Sequence, residues 1–141
     1  MAKFLKEKLE LLRNAGFSEK AINYLESDHN VGKIEGADAI GSYTGKCGDT
    51  IIMYLRIEEG IIKDAKFIYT GCAGAGSSGS AITELAKGKR LEEALKLSLN
   101  DVVEHLKEGE KGLPRHKYDC AEIAINSLRD AIRQYIKKVK C

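Results

Sequence analysis

The stretch Ile51–Thr70, IIMYLRIEEGIIKDAKFIYT, decides the fold. Ile51, Met53, Leu55 and Ile57 alternate with Ile52, Tyr54 and Arg56, the period expected of a strand with one buried face. Glu58-Glu59-Gly60 supplies a turn and Ile61–Thr70 a second strand, so the pair predicts a hairpin. One step outward, Ala37–Thr44 (ADAIGSYT) can form a further strand, joined through Gly45-Lys46-Cys47-Gly48-Asp49. The three make an antiparallel meander.

Helical patterns lie on both sides. Phe4, Leu5, Leu9, Leu11 and Leu12 recur near helical spacing as far as Gly16, a natural stop. Ser18 reads as an N-cap for a short helix over Lys20–Leu25, and 27–36 as loop. After Thr70 comes a glycine-rich run, Gly71–Ser80 (GCAGAGSSGS), read as a loop in which Ser77, Ser78 and Ser80 are helix caps rather than nucleophiles. Helix resumes with Ala81, Ile82, Leu85 and Ala86, ending at Gly88. Leu91–Leu97 and Asp101–Leu106 predict two more short helices, the second capped by Asn100. The last helix is the clearest: Ala121, Ala124, Ile125, Leu128, Ala131, Ile132, Tyr135 and Val139 form one apolar stripe. Helix, then sheet, then helices predicts an α+β fold with helices on one face of the sheet. The expectation is one domain over 1–141, with 1–29 a helical N-terminal extension.

Composition narrows the class. Of 141 residues 43% are hydrophobic, enough for a core, and the net charge is +2 from 23 basic and 21 acidic residues. Near-balance argues against a nucleic-acid or membrane surface. The basic cluster Lys137-Lys138-Val139-Lys140 suits the last turn of a helix. The N-terminus interleaves charge with apolar residues and so does not read as a secretory signal. The expected location is the cytoplasm, where thiols stay reduced and the four cysteines read as metal or catalytic groups.

Three cysteines fall at element ends. Cys47 sits in the turn between the first two strands, Cys72 follows the third, and Cys120 opens the last helix. In a meander, that turn and the exit of the third strand lie at the same end of the sheet. Cys47 and Cys72 are therefore neighbours, and Cys120 joins them if the last helix starts there. A glycine-rich approach and a helix start also favour the thiolate, and small residues around Cys72 leave it room. Asp49 lies in the Cys47 turn and Asp119 beside Cys120. Thiolates select zinc or iron–sulfur centres, and one oxygen ligand is compatible with both. His116 is close enough to Cys120 to be a ligand or proton donor. His29 lies in a polar loop, and His105, on a charged helix, is expected to face solvent. Cys141 reads as a frayed, exposed thiol.

GKCGDT (Gly45–Thr50), IYTGCAGAGSSGSAITELAKGK (Ile68–Lys89), LPRHKYDCAEIAINSLRDAI (Leu113–Ile132) and Asn30-Val31-Gly32 resemble the IscU/NifU-type iron–sulfur cluster scaffold proteins. The resemblance runs from Asn30 to Tyr135. It implies a nascent 2Fe–2S cluster on Cys47, Cys72 and Cys120 with a fourth ligand, sulfur delivered by a cysteine desulfurase, and transfer to recipient apo-proteins. Asp49 corresponds to the family's Cys-Gly-Asp aspartate and Lys117 to the lysine before the last motif. By the same resemblance Cys120 is the persulfide acceptor. Relatives often carry histidine where this chain has Asp119, which leaves Asp49, Asp119 or His116 as fourth ligand, with Asp49 favoured. Leu113-Pro114-Arg115-His116-Lys117 departs from the Leu-Pro-Pro-Val-Lys that a dedicated Hsp70-type chaperone grips, which counts against that partner. A monomer or weak homo-oligomer, not an enzyme, is expected.

The rival reading is a SufU-like sulfurtransferase that holds zinc on the same residues, for which Asp119 speaks. The segment from Gly88 to Tyr118 is too short for the insertion such relatives carry. A domain with purely structural zinc would explain the thiols but not the glycine-rich approach.

Overall fold

The computed structural model describes residues 4–140; Cys141 lies outside them. The order is α1 (Lys6–Ala15), α2 (Glu19–Glu26), β1 (Ala39–Thr44), β2 (Thr50–Glu58), β3 (Ile61–Thr70), α3 (Ala73–Ala86), α4 (Leu91–Ala94), α5 (Leu99–Leu106), a 3-10 turn (Arg115–Lys117) and α6 (Tyr118–Lys140). The meander is as the alternation predicts, antiparallel in the order β1-β2-β3. Gly41, Met53 and Phe67 share one row across it, and Ala39, Leu55 and Ala65 another.

These rows form the inner face, where Ile51, Met53, Leu55, Ala65 and Phe67 are completely buried. Helices α3 and α6 cover it. Contact is closest at two glycines. A Cβ on Gly41 would come within 2.8 Å of the Asp130 carbonyl carbon in α6, and one on Gly79 within 2.6 Å of Cδ2 of Phe67. Both sheet edges are blunted, as exposed ladder groups require. The Ser42 N–H on β1 donates to Asp130 Oδ2 at 2.9 Å. On β3, Phe67 N–H donates to Asn30 O and Phe67 O accepts from Gly32 N–H, so Asn30–Gly32, read as loop, docks as a one-bridge parallel strand.

Several expectations change. The glycine-rich run is helix from Ala73, with Cys72 as N-cap. Glycine disfavours helix by about 1 kcal/mol per residue, but packing overrides it. Gly74, Gly76 and Gly79 are buried, and a Cβ on Gly76 would lie 2.7 Å from Leu25 Cδ2. Ser77, Ser78 and Ser80 therefore lie inside the helix and are not caps. Ser77 Oγ donates to Ala73 O at 2.9 Å, and Ser80 Oγ to His29 O at 2.8 Å. The small residues do not leave open space either, since neighbouring side chains fill it. Helix α4 ends at Ala94 rather than Leu97. The N-cap of α5 is Ser98, because Asp101 accepts from its N–H in a capping box, and Asn100 lies inside the helix. On α1, Leu12 is buried but Leu11 and the N-cap residue Leu5 are exposed, so its apolar stripe is narrower than the spacing suggests. His105 is half-buried and Tyr24 Oη lies 2.8 Å from its Nε2. Both residues lie on helices that pack toward α3, which removes the solvent-facing position expected for it. Among the described residues no helix is long and apolar enough to cross a membrane.

Candidate metal centre

Three element ends meet at one end of the sheet. The β1–β2 turn brings Asp49, the N-cap of α3 brings Cys72, and the first turn of α6 brings Cys120. One ligand atom from each lies within 4.8 Å of the other two. Cys72 Sγ and Cys120 Sγ are 3.6 Å apart, close to the edge of about 3.8 Å of a tetrahedron with metal–sulfur bonds of about 2.3 Å. The pair therefore has the spacing of two thiolates on one ion. Among the described residues Cys47, Cys72 and Cys120 are free thiols.

The two sulfurs differ electrostatically. Burial pushes Cys72 up, but the N–H groups of Ala75 and Gly74, the Cys120 thiol and the Lys117 side chain outweigh it and hold the thiol below its ordinary range. Cys120 is pushed up to about 12, first by burial and then by the neighbouring Cys72. Cys72 is therefore the thiol that loses its proton first, and Cys120 the one that keeps it longer. Lys117 is the matching cation, its ammonium raised chiefly by the hydrogen bond to Cys72. The sequence offered Lys117 only as a motif correspondence. Its position one turn before Cys120, at the junction of the 3-10 turn and α6, is the signal that could have placed it here.

Two glycines shape the same spot. Gly71 has φ +129°, and a Cβ on it would run into the Asp49 carboxylate, with Oδ1 at 2.7 Å. A Cβ on Gly74 would lie 3.0 Å from both Cys120 Sγ and Lys117 Cβ.

The remaining candidates stand outside this group. Cys47 is exposed, in a turn where Gly48 takes φ +90°. It lines an open groove of about 490 Å³ with Tyr43, Asp119, Glu122 and Asn126. Asp119 and His116 are exposed, and neither belongs to the Asp49–Cys72–Cys120 group. His29 is remote, with its Nε2 2.9 Å from Glu84 Oε1 near the far end of α3.

Comparison with known proteins bears on the family and the fold. The family model described as NifU-like N terminal domain matches residues 16–141. The iron–sulfur cluster assembly scaffold protein IscU 1 of Archaeoglobus fulgidus is 41% identical over 123 residues, covering 86% of this chain and 78% of that protein. IscU of Escherichia coli, likewise an iron–sulfur cluster assembly scaffold protein, is 36% identical over 127 residues, covering 86% and 95%. Among solved structures, the SUF-system protein FiSufU of Fervidobacterium islandicum superposes with a TM-score of 0.62 at 25% identity, covering 82% of this chain and 96% of that one.

Proposed function

The chain belongs to the NifU-like N-terminal domain family, and from that premise we propose that it is a scaffold on which an iron–sulfur cluster is built and from which it passes to recipient apo-proteins. The observation that carries this reading is the convergence of Asp49, Cys72 and Cys120 from three separate elements. Storage and electron-transfer clusters are usually held by four thiolates. Here one position falls to a carboxylate, a harder and more readily exchanged ligand for iron. That suits a protein whose cluster is cargo. Cys47, on its exposed turn, is the proposed fourth residue and the one free to close on the cargo last. For the oxygen or nitrogen position Asp119 and His116 remain the alternatives to Asp49. The proposed product is a 2Fe–2S cluster.

Sulfur is proposed to arrive as the persulfide of a cysteine desulfurase. The Cys120 thiolate attacks the outer sulfur, the donor's sulfur–sulfur bond breaks, and the donor cysteine leaves as thiolate. Cys120 first loses its proton, and the Cys72 sulfur 3.6 Å away is in place to take it. Cys120 is 5% exposed, so the docked donor must open the cover over it. Until that transfer, Lys117 and the α3 N–H groups hold the negative charge at Cys72. Leu113 and Pro114 are buried, which adds to the case against an Hsp70-type chaperone gripping this segment. The proposed setting is cytoplasmic, as a monomer or weak homo-oligomer without nucleic-acid or membrane partners.

A second reading, a zinc-dependent sulfurtransferase, is favoured by the one-ion spacing of Cys72 and Cys120 and by Asp119. Against it, the segment between Gly88 and Tyr118 is taken up by α4, α5 and the turn before α6. The test is anaerobic reconstitution with cysteine desulfurase, cysteine and ferrous iron. It is followed by visible spectroscopy, assay of iron, zinc and acid-labile sulfide, and transfer to apo-ferredoxin. The scaffold reading expects a sulfide-containing, transferable chromophore. Tight zinc with no sulfide would favour the sulfurtransferase.

A further inference from the structure

We propose that Gly71 and Gly74 are positioning residues of this centre: the space left by their missing side chains seats the other donors around Cys72. The inference rests on the metal-binding reading above and names what holds its ligands together.

The glycines of this chain fall into distinct kinds. Gly36, Gly48, Gly60, Gly88 and Gly109 have positive φ, and a Cβ on any of them would meet nothing within 4 Å. They are turn glycines, needed for backbone conformation alone. Gly76 and Gly79 are helical, and their missing Cβ positions are filled by Leu25, Tyr69 and Phe67, which are packing side chains. Gly71 and Gly74 differ from both kinds. They flank Cys72 on either side, and what fills their space is the donor set itself. The Asp49 carboxylate lies over Gly71, with Oδ2 at 2.5 Å and Oδ1 at 2.7 Å from the absent Cβ. Over Gly74 lie Cys120 Sγ at 3.0 Å and the Lys117 stem, Cβ at 3.0 Å and Cδ at 3.1 Å. Gly74 has no conformational reason to be glycine, since it lies within α3, where alanine is the better helix former.

The backbone on both sides of Cys72 thus works as a mould. At Gly71 any side chain would push the Asp49 carboxylate away from the sulfurs. At Gly74 a methyl group would press on Cys120 Sγ and the Lys117 stem, which would have to give by a few tenths of an ångström. The donors meet because the Cys72 segment carries no Cβ at either place.

The experiment has two arms. In the metal-free protein, Gly71→Ala is compared in the wild-type and Asp49→Ala backgrounds by denaturant unfolding. Backbone strain at φ +129° is the same in both, whereas the contact with the carboxylate exists only with Asp49. The expected result is a clearly smaller loss of stability in the Asp49→Ala background, and equal losses would overturn the role of Gly71. Should Gly71→Ala alone fail to fold, recovery of folding in the double variant supports the proposal and continued failure overturns it. In the second arm Co2+ is titrated into each protein and the sulfur-to-cobalt charge-transfer band is followed. Gly71→Ala and Gly74→Ala are each expected to weaken Co2+ binding about 10–100-fold, as loss of outer-sphere support does. Adding Asp49→Ala to Gly71→Ala should cost little more. Wild-type affinity in either glycine variant overturns the proposal for that residue. A wild-type protein with no charge-transfer band would defeat the metal reading and the donor-placing role with it. The stability cycle would even then report whether the carboxylate sits in the Gly71 space.

Discussion

The two ends of α3 carry polar clusters built on opposite plans. At the C-terminal end the groups satisfy one another. Glu84 Oε1 lies 2.9 Å from His29 Nε2 and accepts from Asn30 Nδ2 at 3.1 Å. Asn30 Oδ1 accepts from Lys87 Nζ at 2.8 Å, and Asn30 Nδ2 also donates to Thr83 Oγ1. Tyr24 stacks on His29 with ring centroids 4.5 Å apart and shares a hydrogen bond with His105. At the N-terminal end two sulfurs and a carboxylate crowd together with Lys117 as the nearby cation. A saturated cluster stabilises the fold, because each partner would be costly to leave unpaired. A crowd of like donors is held together against its own repulsion and gains most when a cation or cluster arrives. One helix thus joins a structural end to a functional end.

The contrast can be broken in several places. Cys72→Ser should have the largest effect, abolishing stoichiometric cluster reconstitution as read by acid-labile sulfide, while the fold survives by circular dichroism. Retention of full sulfide would remove Cys72 from the centre. Phe67→Ala, beneath the middle of the helix, should destabilise by about 3–5 kcal/mol in urea unfolding and so weaken both ends together. Asn30→Ala should cost about 1–3 kcal/mol through the partners it strands, yet leave Co2+ affinity unchanged. A parallel fall in affinity would show that the two ends are coupled. The smallest effect concerns pH. Burial, then Lys20, lowers His105 below its ordinary 6.5. As pH falls below that value the unfolded chain takes up the proton first, so stability should drop through the window between the two pKa values. His105→Gln should flatten the drop, measurable as the pH dependence of the melting temperature.

Much of the centre was legible because short-range rules carry it. The alternation in Ile51–Thr70 predicts the hairpin, and the meander places the Asp49 turn beside the exit to Cys72. The apolar stripe of the last helix sets Cys120 at its start. What escaped were close approaches between distant segments. Glycine and serine after Cys72 have poor helix propensity, so Gly71–Ser80 reads as loop. It folds as helix because Phe67, Leu25 and Tyr69 occupy the space that larger side chains would need. His105 reads as exposed on a charged helix, and only the packing that brings Tyr24 to it half-buries it.

The sequence by itself determined the elements, their order and the residue types able to bind a soft metal, since periodicity and ligand chemistry are local properties. Only the tertiary structure decided which of those residues meet. It gathered Asp49, Cys72 and Cys120, left Cys47, Asp119 and His116 at the exposed rim, and brought Lys117 to Cys72. The reason is steric: which donors converge depends on where two backbones can approach without a Cβ between them, and that is settled by segments far apart in the chain.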